Sequence, residues 1–340
     1  MVDNKKIFYN ALAKALNSNY EKLVVIYDAE NGFEKAWHNL PAELKTFDPK
    51  NEFEKLEKEK VDIIFRDDPR FPSLLKEIPL APIAIYVKGK IDPEAVSLSI
   101  VGTRKATPDG EEIAYELAQS IARKNIQITS GLAMGIDSAS HKGALKAKGK
   151  TVAVLARGLD EIYPKINEGL AKEILENNGA IISEYPLGSE PMPHRFLERN
   201  RIISGMSIAT ILIEAPEKSG AISTARFSTE QNRELFVIPG PANHRNYGGS
   251  HKLIREGARL ATSAEEIFAD LGLNIAPTND ALNQEEMIIL EIIKGSKKSP
   301  GFDEIVEISN LEFSKANAII GKLLTLDIIE EAPNGYQLKK

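Results

Sequence analysis

The sequence predicts an α/β fold organised around a doubly wound, mainly parallel sheet. Two observations carry this. From residue 97 onward, short continuous apolar runs alternate with helical patterns, and a run without polar alternation belongs to a strand covered on both faces. Glycine and hydroxyl residues follow several of these runs, where a strand must turn into a helix. The runs are 97–101 (SLSIV), 126–129 (IQIT), 151–155 (TVAVL), 180–183 (AIIS), 208–213 (IATILI) and 235–238 (LFVI). Helical patterns lie between them, at about 110–124, 136–148, 166–178, 200–206 and 221–232. Successive βαβ units build a parallel sheet of Rossmann type, and ligands bind such sheets at the carboxyl ends of the strands.

The flanks read differently. Residues 1–60 form a small helical module. Ile7, Ala11, Leu12 and Leu16 recur at helical spacing, and Phe53 and Leu56 sit in a charged helical stretch. A proline-rich segment, 67–89, ends in an apolar strand at 83–87 and opens the core domain, 61–270. A linker is expected over 271–283. The last domain, 284–340, shows helices at 285–294, 302–308 and 314–326, then a hairpin turning at Asn334-Gly335. Three helices and a wing read as a winged helix. From Asp280 onward the chain has seven lysines, no arginine and eleven acids. Such a composition grips phosphate poorly, so protein contact is its expected role.

Composition narrows the function. The chain has 340 residues, 42% hydrophobic and 27% charged, with net charge −6. No apolar run approaches a membrane span, and the N-terminus lacks the apolar block of a signal peptide. With no cysteine there is no disulfide, thiolate nucleophile or Cys-bound zinc, which fits the cytoplasm. The five histidines show no H-x-x-x-H spacing, so neither a metal nor a cofactor is expected. The acidic balance argues mildly against a nucleic-acid partner, although a local basic patch on an acidic body suffices to attract a polyanion.

The strand ends hold the chemistry. The first, "IVGTRKATPDG", offers Gly102, Thr103 and Arg104. Glycine lets a ligand approach the backbone, a helix start favours an anion, and Arg adds a planar donor fork. The second, "TSGLAMGIDSASH", offers Ser130, Gly131 and Gly135, with Asp137 expected as a helix N-cap and His141 expected to be packed. Neither loop contains G-x-G-x-x-G, and "GALKAKGKT" fails as a P-loop because five residues separate its glycines. The third end brings Arg157 and Lys165 to the rim. The fourth leads into "PMPHRFLERNRIISG", the densest basic spot, with His194, Arg195, Arg199 and Arg201 around Phe196, and Asn200 expected to cap a helix. Arginine for phosphates and an aromatic face for bases is how single strands are held. The fifth end supplies Ser219, Gly220 and Thr224, and the sixth is a Gly/Pro loop with His244, Arg245 and Lys252.

In order and spacing, "IVGTR", "SGLAMGID", "ISEYP", "FLERNRIISG", "EAPEKSGAISTA" and "FVIPG" resemble the DNA-processing protein A (DprA/Smf) family over residues 63–267. The resemblance implies a single-stranded DNA-binding protein without enzymatic activity. Such proteins protect incoming strands and load the RecA recombinase during natural transformation. It also implies a homodimer through the Rossmann-like domain. Carried over by motif, Arg104 and Lys165 would contact phosphate. Gly102, Thr103, Ser130, Gly131 and Gly135 would offer backbone or hydroxyl donors. Phe196 would stack on a base, Arg199, Asn200 and Arg201 would line the pocket, and Gly220 and Thr224 would complete its floor. Three departures stand out: Ser140 before His141, Leu197-Glu198 after Phe196, and Asn232. Glu198 would place negative charge in the groove.

Two other readings compete. One is a Rossmann-like nucleotide enzyme of the phosphoribohydrolase type, and the other a nucleotide-sensing scaffold. Hydrolysis would want a glutamate three residues after Thr224, and that position is Phe227. Glu184, Glu214 and Glu230 are the nearby carboxylates, with no clear acid/base pair among them.

Overall fold

The computed structural model describes residues 4–28, 32–273, 284–296, 298–325 and 328–339. The chain divides into two compact units, Met1–Leu271 and Gly272–Lys340.

The first unit opens with four helices: α1 (Asn4–Ala15), α2 (Tyr20–Tyr27), α3 (Gly32–Asn39) and α4 (Pro49–Lys58). Strand β1 (Val61–Phe65), a turn of helix α5 (Ser73–Lys76) and β2 (Ala84–Gly89) follow. The alternating part then runs β3 (Ser97–Gly102), α6 (Pro108–Ala122), β4 (Gln127–Ser130), α7 (Ile136–Lys146), β5 (Thr151–Leu155), α8 (Glu168–Glu176) and β6 (Ala180–Ser183). It continues through α9 (Pro193–Gly205), β7 (Ala209–Ile213), α10 (Gly220–Glu230), β8 (Glu234–Val237), α11 (Gly248–Arg255), β9 (Arg259–Leu260) and α12 (Ala264–Asp270).

The nine strands form one sheet in the order β1-β2-β6-β5-β4-β3-β7-β8-β9. The seven from β6 to β9 are parallel, while β1 and β2 pair antiparallel at one edge. Winding runs outward from β3 to β6, then returns to start again at β7. The sheet therefore changes direction between β3 and β7, where a crevice opens above the strand ends.

Period-2 alternation sorts the core. Ile63, Tyr86, Ala153, Leu155 and Ile181 point to one face, under α7, α8 and the N-terminal helices. Ile64, Ile85, Val152, Val154 and Ile182 point to the other, under α5, α9, α10 and α11. The N-terminal helices thus share an apolar core with the sheet. Tyr9 lies edge-on to Phe65 of β1 at 5.2 Å, and Tyr86 Oη donates to Asn10 Oδ1 at 3.0 Å.

Two sequence readings need correction here. Strand β1 was missed, because five residues between a charged helix and a proline-rich loop give little periodicity. The helix expected at 200–206 begins at Pro193. Proline is suited to the first turn, since its missing N–H has no partner there. Asn200 therefore sits mid-helix and caps nothing.

The second unit holds α13 (Gln284–Gly295), α14 (Phe302–Ser309), α15 (Phe313–Thr325) and a hairpin, β10 (Ile329–Ala332) and β11 (Gly335–Leu338). Ile289, Ile293, Ile305, Ile319, Leu323 and Ile329 form its core. Both lysines of α15 are paired with α13: Lys315 with Glu285 and Lys322 with Glu286. The linker expected over 271–283 lies mostly outside the described residues.

Candidate nucleic-acid interface

A cleft of about 680 Å³ opens above the ends of β3 and β7. Its walls come from the loop after β3, the loop after β4, helix α9 and the start of α10. From the residues expected to act, the structure brings Gly102, Thr103 and Arg104 to one wall. It brings Phe196, Arg199 and Asn200 of α9 and Gly220 and Thr224 of α10 to the same cleft.

Arg104 is exposed on the rim, with its guanidinium 4.9 Å from the Phe196 ring. Tyr163 meets the same ring at 5.8 Å, so two aromatic rings and a cation share one corner. Lys105 and Lys218 line the cleft as well, both exposed and outside any ion pair among the described residues. Sequence reasoning passed over Lys105, Lys218 and Tyr163. The available signal was position: Lys105 follows Arg104, Lys218 precedes the α10 start by two residues, and Tyr163 opens the "YP" turn.

The floor is the N-terminus of α10. Ser219 caps it by accepting from Ala221 N at 3.2 Å. A Cβ at Gly220 would meet nothing within 4 Å, so no packing demand explains the glycine. A helix start carries partial positive charge and unpaired N–H groups, which favour an anion above it.

The basic cluster on α9 behaves otherwise. Arg195, Arg199 and Arg201 are 4%, 4% and 8% exposed. Arg195 donates to Glu190 O and to Asn17 Oδ1. Arg201 Nη2 donates to both Glu184 oxygens, at 2.7 and 2.5 Å, and Arg201 is absent from the cleft lining. Its expected place in the pocket is therefore corrected, because the largely buried Glu184 draws it into an ion pair instead. Arg199 lies under the cleft and donates to Gly131 O at 2.9 Å and to Val154 O. Burial pushes its pKa down to about 10, so it stays charged at neutral pH. Asn200 spans to the α10 start, donating to Gly220 O and Ser223 Oγ. Glu198 leaves the groove, since its carboxylate accepts from Tyr185 Oη at 2.6 Å and does not line the cleft.

The loop after β4 is built from within. Asp137 is not the N-cap of α7. Gly135 holds that position with φ +76, and a Cβ there would lie 2.5 Å from Thr103 O. The Asp137 carboxylate instead accepts from Gly131 N at 3.1 Å and Ala133 N at 3.4 Å, so Gly131 has no amide to spare for a ligand. Gly131 is glycine for another reason: a Cβ would sit 2.8 Å from the Arg199 guanidinium. Ser130 is fully buried and donates to Ile100 O. His141 is packed as expected. Thr151 Oγ1 donates to Ile128 O, which leaves its lone pair to accept from His141 Nδ1 at 2.7 Å. Burial pushes the His141 pKa down to about 3. Lys165 is exposed in the turn after Pro164 but does not line the cleft, and Arg157 is paired with Glu161.

Among the described residues, no group of three or more His, Asp or Glu side chains is arranged to hold a metal, and no helix is long and apolar enough to cross a membrane.

Comparison with known proteins finds relatives of this chain over its core. A family model described as DNA recombination-mediator protein A matches residues 62–272. Protein Smf of Synechocystis sp. is 41% identical over 211 residues, 61% of this chain and 53% of that protein. DNA processing protein DprA of Bacillus subtilis is 40% identical over 204 residues, 59% of this chain and 68% of that protein. The matches thus span about half to two thirds of these relatives' own length. Among solved structures, DprA from Streptococcus pneumoniae matches with a TM-score of 0.62 at 31% identity, over 77% of this chain and 93% of that one. DprA from Helicobacter pylori, solved for its single-stranded DNA binding mode, gives 0.57 at 28%, over 64% and 97%. With the family model covering more than half of its residues, the chain belongs to the DNA recombination-mediator protein A (DprA/Smf) family.

Proposed function

We propose that this protein binds single-stranded DNA across the cleft at the β3–β7 switch point. One observation carries the reading: exposed Arg104 lies 4.9 Å from Phe196 at the mouth of a cleft floored by a helix start. A cation, an aromatic face and the positive end of a helix are what phosphates and bases need. Arg104, Lys105 and Lys218 hold phosphates, Arg199 adds positive field from below, and Phe196 with Tyr163 takes a base. Nothing in this arrangement reads base edges, so sequence preference is weak.

Hydrolysis is disfavoured by the same lining. Asp137 is the one carboxylate among the described lining residues; its Oδ2 accepts from the Gly131 and Ala133 amides, and no second carboxylate stands in the lining to complete an acid/base pair. Family membership supports the wider role: a cytoplasmic homodimer that protects incoming strands and helps load RecA. The second unit fits protein contact better than duplex binding, because the lysines of α15 are neutralised by Glu285 and Glu286. The test is anisotropy of labelled oligo-dT and of a duplex of equal length at low salt, beside a mononucleotide hydrolysis assay. Preferential binding of the single strand without hydrolysis supports the proposal. Hydrolysis without strand binding overturns it.

A further inference from the structure

Glu214 is a fully buried carboxylate at the end of β7 that does not line the cleft. It stands in the left-handed region at φ +47, which non-glycine residues seldom adopt. Its main-chain oxygen accepts from Thr103 N at 2.8 Å. Its carboxylate accepts from Thr107 N at 2.9 Å, from Thr107 Oγ1, and from Asn246 Nδ2 at 2.9 Å. Asn246 Nδ2 also donates to Lys105 O at 3.0 Å. Residues 103, 105 and 107 are thus tied down, leaving the Arg104 side chain projecting between two anchored neighbours. Among the described residues no cation forms an ion pair with Glu214. The start of α6 and the amide of Asn246 stabilise its charge instead. Gly110 leaves room for it, since a Cβ there would lie 2.5 Å from Glu214 Cδ. Each of these side-chain and backbone partners donates, so a carboxylate fits where Gln would set an NH₂ against a donor.

We propose that Glu214 and Asn246 form a positioning strut that fixes the Arg104 loop for its ligand. This rests on the single-strand reading above, and neither residue touches the DNA. The burial of Glu214 and its occupied oxygens leave it no part as a general base. The segment from Gly240 to Tyr247, which contributes no residue to the cleft, acquires a purpose as the carrier of Asn246.

The test is oligo-dT anisotropy on the full chain for wild type, Asn246→Ala, Arg104→Ala and the double variant. Hydrogen exchange of amides 103–107 is followed without DNA. Asn246→Ala is expected to weaken binding about tenfold, the worth of one or two lost hydrogen bonds, and to speed exchange in the loop. In the Arg104→Ala background the same change has less than a twofold effect, because coupled residues are not additive. Thr107→Ser keeps the hydroxyl and holds affinity within twofold, whereas Thr107→Val loses it, which covers the case of an unstable Asn246 variant. Equal losses in both backgrounds, or unchanged loop exchange, overturn the strut while leaving the single-strand reading intact. A wild type that does not bind oligo-dT overturns both.

Discussion

The loop after β3 and helix α9 both carry arginine, and they use it in opposite ways. Arg104 stands on the cleft rim, exposed, beside the exposed Lys105. On α9, Arg195, Arg199 and Arg201 turn inward to satisfy carbonyls, an asparagine and Glu184. By density of basic residues α9 should be the DNA-binding surface, yet it contributes mainly an aromatic ring and scaffolding. A charge in a sequence becomes surface charge only where its element leaves it facing water. A helix packed across a sheet presents one face to the core, and arginines at 195 and 199 share a face.

The contrast can be broken in order of expected effect. Arg201→Ala leaves the largely buried Glu184 without its cation, and such a broken pair costs about 3 kcal/mol. Urea denaturation should show that loss, with oligo-dT binding by the folded fraction unchanged. Arg199→Met leaves Gly131 O and Val154 O without their donor and should cost about 2–3 kcal/mol. A loss below about 0.5 kcal/mol would mean that Arg199 is free to serve a ligand.

His141 sets a pH window. Its folded pKa, near 3, lies below the ordinary 6.5. The unfolded chain therefore binds a proton, and the native state does not, as pH falls through 6.5. Stability is complete above that pH and declines below it, by at most about 1.4 kcal/mol per unit for this one group. His141→Gln should flatten the slope in denaturation midpoints between pH 6.5 and 5. Arg104→Ala should leave stability within about 0.5 kcal/mol of wild type and weaken oligo-dT binding more than tenfold. Lys218→Ala, at a more open position, should cost only a few-fold in affinity.

Much of this was readable in advance. The parallel strands from β3 to β8 are mostly apolar, as in "TVAVL", so their positions stood within a residue or two of those observed, whereas the exposed two-residue β9 carried no such signal. The glycines of "GTR" and "SGLAMG" marked two loops that contribute residues to the cleft. What each glycine does was not readable, because Gly131 makes room for Arg199, which is 68 residues away in the chain. Asp137 looked like a cap since an acid near a helix start usually is one; its role as clasp of the preceding loop goes with the positive φ of Gly135, which takes the cap position instead. The direction of the α9 arginines depended on where that helix began, and Pro193 read as loop.

The most direct test of the whole account is a salt series of oligo-dT anisotropy for wild type and Arg104→Ala. With three rim cations on phosphates, the log–log slope for wild type should be about −2, at roughly −0.7 per contact. The variant should bind more weakly and lose about 0.7 of that slope. Salt-insensitive binding, or a variant with wild-type affinity and slope, would contradict a phosphate cradle built on the loop after β3.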